Sequence, residues 1–157
     1  MGKVIGYMVT WTTYGTYLQG NKRGYVKNGE VHGACAKLEE ANKKRQKEKR
    51  FILTKENRES AGKAILVEAG RLGQEILAMA ILTTHVHLVV DVIGEPIETA
   101  VARYKRAATK ALRAKGIMGK VWTHGYDKRF CFDEEALRER VKYVERHKFL
   151  TPSRAGG

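Results

Sequence analysis

One stretch decides the fold and suggests the chemistry: Ile81-Leu82-Thr83-Thr84-His85-Val86-His87-Leu88-Val89-Val90-Asp91. Because successive side chains of a strand point to opposite faces, His85 and His87 are predicted to lie on one face, with Val86, Leu88 and Val90 on the other. Two neighbouring imidazoles on a rigid strand are favourable when they share a divalent metal ion. The alternative is a pair of half-buried histidines with separate hydrogen-bond partners, and the pair alone does not decide between the two interpretations.

Length and charge narrow the class of protein. The chain has 157 residues, which suits a single domain with a proper core, and 30 Lys and Arg against 17 acidic residues give a net charge of +13. Such an excess indicates a polyanionic partner, with nucleic acid first and an anionic membrane surface second. The apolar run 76–82 is too short to span a bilayer, and the N-terminus lacks the apolar core of a secretion signal. Cys35 and Cys131 fit reduced thiols, so we expect a cytoplasmic, nucleoid-associated protein without membrane contact.

The pattern of elements predicts an α+β fold. Strand, helix, two strands, helix, strand and a last helix give the order β-α-β-β-α-β-α, a ferredoxin-like split βαβ antiparallel sheet with an additional C-terminal helix. Thr54 is predicted to cap the first helix and Pro96 to occupy the first position of the second, which runs to about Lys115. A further strand is expected around 121–122 and 129–132. We predict one domain over 1–150, with an insertion at about 15–53 and a flexible tail at 151–157.

The last helix supplies a second pair of reactive side chains. Tyr143 and His147 are four residues apart and therefore lie on one flank of the helix, one turn from each other. From spacing alone, the better interpretation is an amphipathic surface helix with a tyrosine at its edge and an exposed histidine. If the helix lies across the sheet face that carries His85 and His87, however, His147 would be a third imidazole beside them.

These motifs together resemble the HUH single-tyrosine transposases, which comprise the single-strand insertion-sequence transposases and their REP-associated relatives. The resemblance covers nearly the whole chain and is carried by His85-Val86-His87, Trp122, Gly125-Tyr126 and Tyr143-Val144-Glu145-Arg146-His147, with the opening motifs Thr13-Tyr14-Gly15-Thr16-Tyr17-Leu18-Gln19-Gly20 and Arg23-Gly24-Tyr25-Val26. His147 stands where the family often has Gln or Asn, and the Asn-Pro pair usual in REP-associated proteins after the tyrosine is replaced by His147-Lys148.

The resemblance implies roles for these residues. Tyr143 would be the nucleophile, and His85, His87 and His147 would hold a divalent metal, Mg²⁺ or Mn²⁺. It implies cleavage of single-stranded DNA, often with hairpin structure, through a 5′-phosphotyrosine intermediate followed by strand transfer. Family members include monomers and homodimers, so a homodimer is possible on this ground.

The second helix offers a candidate DNA contact. Its apolar positions fall on one face, and the opposite face carries a basic stripe of Arg103, Arg106, Lys110 and Arg113, which suits a phosphate backbone. The alternative is a merely solvated helix face. Trp11, Tyr17 and Tyr25 could stack on unpaired bases, although a structural role is the favoured interpretation for each.

Two tyrosines compete with Tyr143 as nucleophile. Tyr104 lies in the apolar stripe of the second helix and is expected in the core, so Tyr126 is the stronger rival. A second hypothesis for the whole chain is a non-catalytic binding domain for single-stranded DNA or RNA on the same scaffold, which would require neither a metal nor Tyr143.

Overall fold

The computed structural model describes residues 2–16 and 50–149. In these residues the elements are β1 (Gly6–Thr12), α1 (Lys55–Leu72), β2 (Ile76–Ile81), β3 (His85–Asp91), α2 (Ile97–Ala114), β4 (Asp127–Cys131) and α3 (Glu134–Phe149). The predicted order β-α-β-β-α-β-α is therefore confirmed. Most of the predicted insertion at 15–53, with Tyr17 and Tyr25, and the predicted tail at 151–157 lie outside the described residues.

The four strands form one antiparallel sheet in the order β2-β3-β1-β4. β3 and β1 are the central pair, and their register sets Thr10 opposite His87 and Thr12 opposite His85. The two histidines therefore emerge from the middle of the sheet, on a strand that is hydrogen bonded on both sides.

Helices cover both faces of the sheet. α1 and α2 pack on one face, where Val9, Trp11, Val86, Leu88 and Tyr104 are part of a shared buried cluster. α3 packs on the other face, where its Val144 meets a smaller cluster formed by Met8, Ala78, Ala80 and Val89. Because β3 alternates, Val86, Leu88 and Val90 face α1 and α2, whereas His85, His87 and Val89 face α3.

The helix ends follow local chemistry. Thr54 accepts a hydrogen bond from the Asn57 backbone N–H at the start of α1, and Gly73 closes that helix in the left-handed conformation with φ 73°. Pro96 is not the first residue of α2, as predicted, but its N-cap: its ψ of 147° is extended, and its carbonyl accepts from the backbone of Ala100. The expected strand pairing at Val121–Trp122 is reduced to one bridge between Trp122 and Thr13. In the described residues, no helix combines the length and apolar character needed to cross a membrane.

Candidate active site

Three imidazoles and one phenol meet on the α3 face of the sheet. The ring centres of His85 and His87 are 6.1 Å apart, and that of His87 lies 5.0 Å from His147 and 6.0 Å from Tyr143. Tyr143 and His147 are themselves 4.3 Å apart on adjacent turns of α3. His87 is only 7% exposed, whereas the other three residues are partly exposed. The site is thus anchored in the sheet and open to solvent at its rim.

Each of the three imidazoles uses its Nδ1 atom in a local hydrogen bond. The partner of His87 is the Thr10 hydroxyl at 2.8 Å, and that of His85 is the Thr84 hydroxyl at 2.8 Å. His147 Nδ1 lies 3.0 Å from the Tyr143 carbonyl oxygen. Because a carbonyl can only accept, Nδ1 of His147 is the donor in its bond, and Nε2 carries the lone pair in the neutral ring. A threonine hydroxyl can donate or accept, and His85 and His87 offer Nε2 to a ligand in the tautomer in which Nδ1 donates to it.

This donor set fits a divalent metal in chemistry and spacing. Metal–nitrogen bonds of about 2.1 Å put the ring centres of two imidazoles that share an ion roughly 4.5–6.4 Å apart. The separations of 5.0 and 6.1 Å lie in that interval. Within residues 2–16 and 50–149, however, no three His, Cys, Asp or Glu side chains already form a closed metal-binding group. The ring separations are therefore compatible with a shared ion, but the side chains as they stand are not gathered around one point.

Burial lowers the pKa of both strand histidines. Burial lowers the pKa of His87 to about 4, with the positive charges of His147 and His85 acting in the same direction. Burial also lowers the pKa of His85, assisted by Arg50 and His147. Neutral imidazole is the form that binds metals, so both strand histidines are ready as ligands at neutral pH.

Small side chains let α3 approach the sheet closely. A Cβ atom at Gly6 would lie 2.7 Å from Leu137 Cδ1 of α3 and 2.9 Å from the Val90 carbonyl oxygen. Ala78 and Ala80 of β2 lie under the same helix, and Ala80 is the cross-strand neighbour of His87. The helix that carries Tyr143 is therefore held against the histidines by residues that contribute almost no bulk.

The two rival tyrosines lie away from this cluster. Tyr104 is fully buried and donates to Gln74 Oε1 at 2.5 Å, and burial raises its pKa to about 12. Tyr126 packs against the cluster on the α1 and α2 face, opposite to the histidines, and burial raises its pKa as well. Trp11 is also fully buried, so it cannot stack on a base.

The predicted basic stripe does not border the tyrosine. Arg103, Arg106 and Lys110 line a groove between α1 and α2, on the side of the sheet opposite to Tyr143. Arg103 is held by Glu68, with Nε 2.6 Å from Oε2. Arg113 lies outside the groove and donates to the Ile117 carbonyl oxygen at 3.1 Å.

Sequence reasoning missed the residues that orient the site. Thr10 and Thr84 bond the histidine rings, and Gly6 admits Leu137. The only signal in the sequence was the spacing of Gly6, Met8 and Thr10, which places them on one face of β1. That spacing does not give the register that sets Thr10 opposite His87.

Comparison with known proteins agrees with this architecture. The family described as "Transposase IS200 like" matches residues 44–147. Among solved structures, a REP-associated tyrosine transposase bound to a REP hairpin is similar with a TM-score of 0.54 and 14% identity, over 92% of this chain and 67% of that one.

A second solved structure, of a protein assigned as a transposase from Deinococcus radiodurans R1, has a TM-score of 0.53 and 15% identity over 94% of this chain and 93% of that one. At these sequence identities, the similarity of this chain to the two solved structures shows a shared fold. No curated protein matches the sequence significantly. The family match covers well over half of the chain, so the chain belongs to the IS200-like transposase family.

Proposed function

We propose that this protein cleaves and rejoins single-stranded DNA, with Tyr143 as the nucleophile and His85, His87 and His147 as ligands of a divalent metal, Mg²⁺ or Mn²⁺. The observation that carries the proposal is the meeting of Tyr143 with three imidazoles whose Nδ1 atoms are all engaged. Membership of a transposase family supports DNA as the substrate.

The position of the phenol at the rim of the site supports its proposed role as the nucleophile toward a phosphodiester. Tyr143 is partly exposed and its ring stands edge-on to His87, with the two planes at 87°. In the proposed step Tyr143 Oη forms a bond to phosphorus while the bond from phosphorus to the 3′ oxygen breaks. The phenolic proton passes to solvent, and the leaving oxygen takes up a proton to become a 3′-hydroxyl. The product is a 5′-phosphotyrosine, which keeps the energy of the broken bond for rejoining.

The histidines have a separate task. A bound divalent ion would neutralise charge on a non-bridging phosphate oxygen and help to fix the geometry of attack. Thr10 and Thr84 fix the ring orientations of His87 and His85 through Nδ1, as partners of metal-binding histidines usually do. His147 in place of an amide ligand adds a third nitrogen, which shifts metal preference toward Mn²⁺ and transition metals relative to Mg²⁺.

The substrate proposal extends to structured single strands. One solved structure with the same fold is a REP-associated tyrosine transposase bound to a REP hairpin. We therefore include in the proposal a hairpin in the DNA flanking the cleavage site, bound by one copy of the chain or by a homodimer.

The test uses single-stranded oligonucleotides copied from the DNA flanking the protein's own gene, incubated with Mn²⁺ and run on a denaturing gel. We expect a covalent protein–DNA band that EDTA abolishes and that Tyr143→Phe lacks. Tyr126→Phe is the matched control, because Tyr126 lies on the other face of the sheet, and it should leave the band intact. His147→Gln should retain more activity than His147→Ala, since an amide oxygen can replace a ligand that a methyl group cannot.

Two results would contradict the proposal. Cleavage that survives Tyr143→Phe would move the nucleophile to another tyrosine or to water. Tight binding without cleavage of any flanking sequence would favour the non-catalytic binding domain, which needs neither Tyr143 nor a metal.

A further inference from the structure

We propose that the groove between α1 and α2 binds the sugar–phosphate backbone of one DNA strand, at a site separate from Tyr143. The groove encloses about 740 Å³ and is lined by six basic side chains: Lys63, Arg71, Arg103, Arg106, Lys110 and Lys115. The proposal rests on the proposed function in one respect: the strand bound in the groove is part of the same DNA that Tyr143 cleaves.

The basic side chains follow the groove along its length. Lys115 pairs with Glu56 and Arg103 with Glu68, so α1 and α2 run antiparallel, and residues of the two helices face each other in a fixed register. In that register Arg71 lies near one end and Lys115 at the other. With a rise of 1.5 Å per residue the cations extend over roughly 20 Å, a length over which several consecutive phosphates of one strand can lie.

The charge of the groove is almost entirely positive. Among the described residues, Glu68 is the only acidic residue in its lining, and Glu56 pairs with Lys115 from outside it. The Glu68 carboxylate is already used, because Arg103 Nη2 lies 2.5 Å from Oε2 and Arg71 Nη1 lies 3.1 Å from Oε1. Burial would raise the pKa of Glu68, but the hydrogen bonds from Arg103 and Arg71 outweigh it and the pKa is lowered. Glu68 therefore holds two arginines in the wall without cancelling the groove's charge.

The floor of the groove favours a nucleic-acid backbone over a peptide. Alanines at 64, 107, 111 and 114 line it together with Val67, which leaves room for a chain to enter between the cations. An acidic peptide would instead need apolar pockets for its anchor residues, and alanines do not form them.

The groove and the tyrosine lie on opposite sides of the molecule. α1 and α2 cover one face of the sheet, whereas Tyr143 belongs to the cluster on the other. A helix layer and the sheet together separate them by about 20 Å. A strand cut at Tyr143 must pass around the sheet edge to reach the groove, so the groove would hold DNA that flanks the cleavage site.

The test measures binding of (dT)30, which forms no hairpin, in EDTA so that no cleavage occurs. Three exposed cations of the groove are neutralised together by Lys63→Gln, Arg106→Gln and Lys110→Gln. The control variant loses the same charge outside the groove, by Lys3→Gln, Lys55→Gln and Arg138→Gln, all exposed. With about 0.7 counterions released per phosphate contact, the groove variant should bind on the order of 100-fold more weakly at 0.1 M salt, and its salt slope should fall by about 2.

A positional measurement accompanies the affinity. We expect 4-thiothymidine in (dT)30 to crosslink to α1 or α2 of the wild-type protein, and this signal to be lost in the groove variant and kept in the control. Equal weakening of both variants, or crosslinks confined to β3 and α3, would overturn the proposal. Displacement of the DNA by poly-glutamate at equal charge concentration would overturn it in favour of an acidic protein partner. The covalent-adduct assay is independent, so failure of the proposed cleavage would leave this result interpretable.

Discussion

Replacement of Gly6 by alanine should separate the two halves of the candidate site. The added Cβ would lie 2.7 Å from Leu137 Cδ1 and 2.9 Å from the Val90 carbonyl oxygen, whereas carbon contacts are optimal at about 3.5–4.0 Å. The conflict with Leu137 is about 1 Å. The other partner, the Val90 carbonyl, is backbone of β3 and cannot rotate away, so the new methyl group cannot shift toward the sheet. We expect the Leu137 side chain to be pressed outward and α3 to move with it, which takes Tyr143 and His147 away from His87.

The expected cost follows from overpacking. An added methylene that a packed core cannot accommodate destabilises by about 1–3 kcal/mol, and a misplacement of about 1 Å at a reacting group can cost on the order of 10²-fold in rate. We expect Gly6→Ala to lower the free energy of unfolding in urea by that amount and to slow formation of the covalent DNA adduct by one to two orders of magnitude. Mn²⁺ affinity, measured by calorimetry, should fall because His147 withdraws from His87.

The matched control is Gly70→Ala, which makes the same chemical change in the last turn of α1. A Cβ there meets nothing within 4 Å, so the variant should be more stable by about 0.5–1 kcal/mol, as expected for alanine in a helix. Leu137→Ala in the Gly6→Ala background should show favourable coupling, since it removes the closer of the two contacts. If Gly6→Ala proved as stable and active as Gly70→Ala, close packing of α3 on β1 would not be what positions Tyr143.

Further predictions concern single groups. Thr10→Val removes the partner of His87 Nδ1 and should weaken Mn²⁺ binding by about 10–100-fold in calorimetry; unchanged affinity would show that the hydroxyl does not orient the ring. Because His87 Nδ1 is then buried without a partner, the variant should also lose about 1–3 kcal/mol of stability. Since the pKa of His87 is lowered from 6.5 to about 4, the unfolded chain binds the extra proton between these values. The free energy of unfolding in urea should thus fall as the pH drops from 6.5 to 4, by up to about 3 kcal/mol. His87→Gln should flatten that slope, and an equally steep slope in the variant would assign it to other groups. Tyr104→Phe leaves buried Gln74 without its donor and should lower the free energy of unfolding by about 1–3 kcal/mol, while adduct formation persists. Tyr143→Phe should abolish the adduct and leave the stability unchanged. Loss of the adduct in a fully folded Tyr104→Phe variant would count against Tyr143 as the nucleophile.

The architecture was predictable because its signals are local. The alternation of His85 to Val90 gives the strand face, Thr54 and Gly73 give the bounds of α1, and the order of elements follows from their periods. The juxtaposition of Tyr143 and His147 with the strand histidines needed one further assumption, that α3 crosses the histidine face of the sheet. The structure has α3 on that face, through Val144 and the alanines of β2.

Nonlocal relations were not predictable in the same way. The periodicity of α2 predicts the basic stripe on that helix. It does not predict that α1 lies beside the stripe and completes a groove with Lys63 and Arg71. Arg103 looked available for phosphate, and its pairing with Glu68 depends on a contact between residues 35 positions apart. The prediction for Pro96 was wrong by one position. Proline has the same φ as an N-cap and as a first helical residue, and only ψ distinguishes the two positions.

β1 shows why a motif alone underdetermines a site of this kind. The strand contributes neither the nucleophile nor a metal ligand to the proposed chemistry, yet it lies beside β3 in the centre of the sheet and presents Gly6, Met8 and Thr10 to α3. Thr10 sets the orientation of one ring, and Gly6 sets the distance at which the helix lies. A sequence that kept both histidines and the tyrosine but carried a bulky residue at position 6 would retain the motif and lose the geometry. The chemistry we propose therefore depends on β1 as much as on the residues that would perform it.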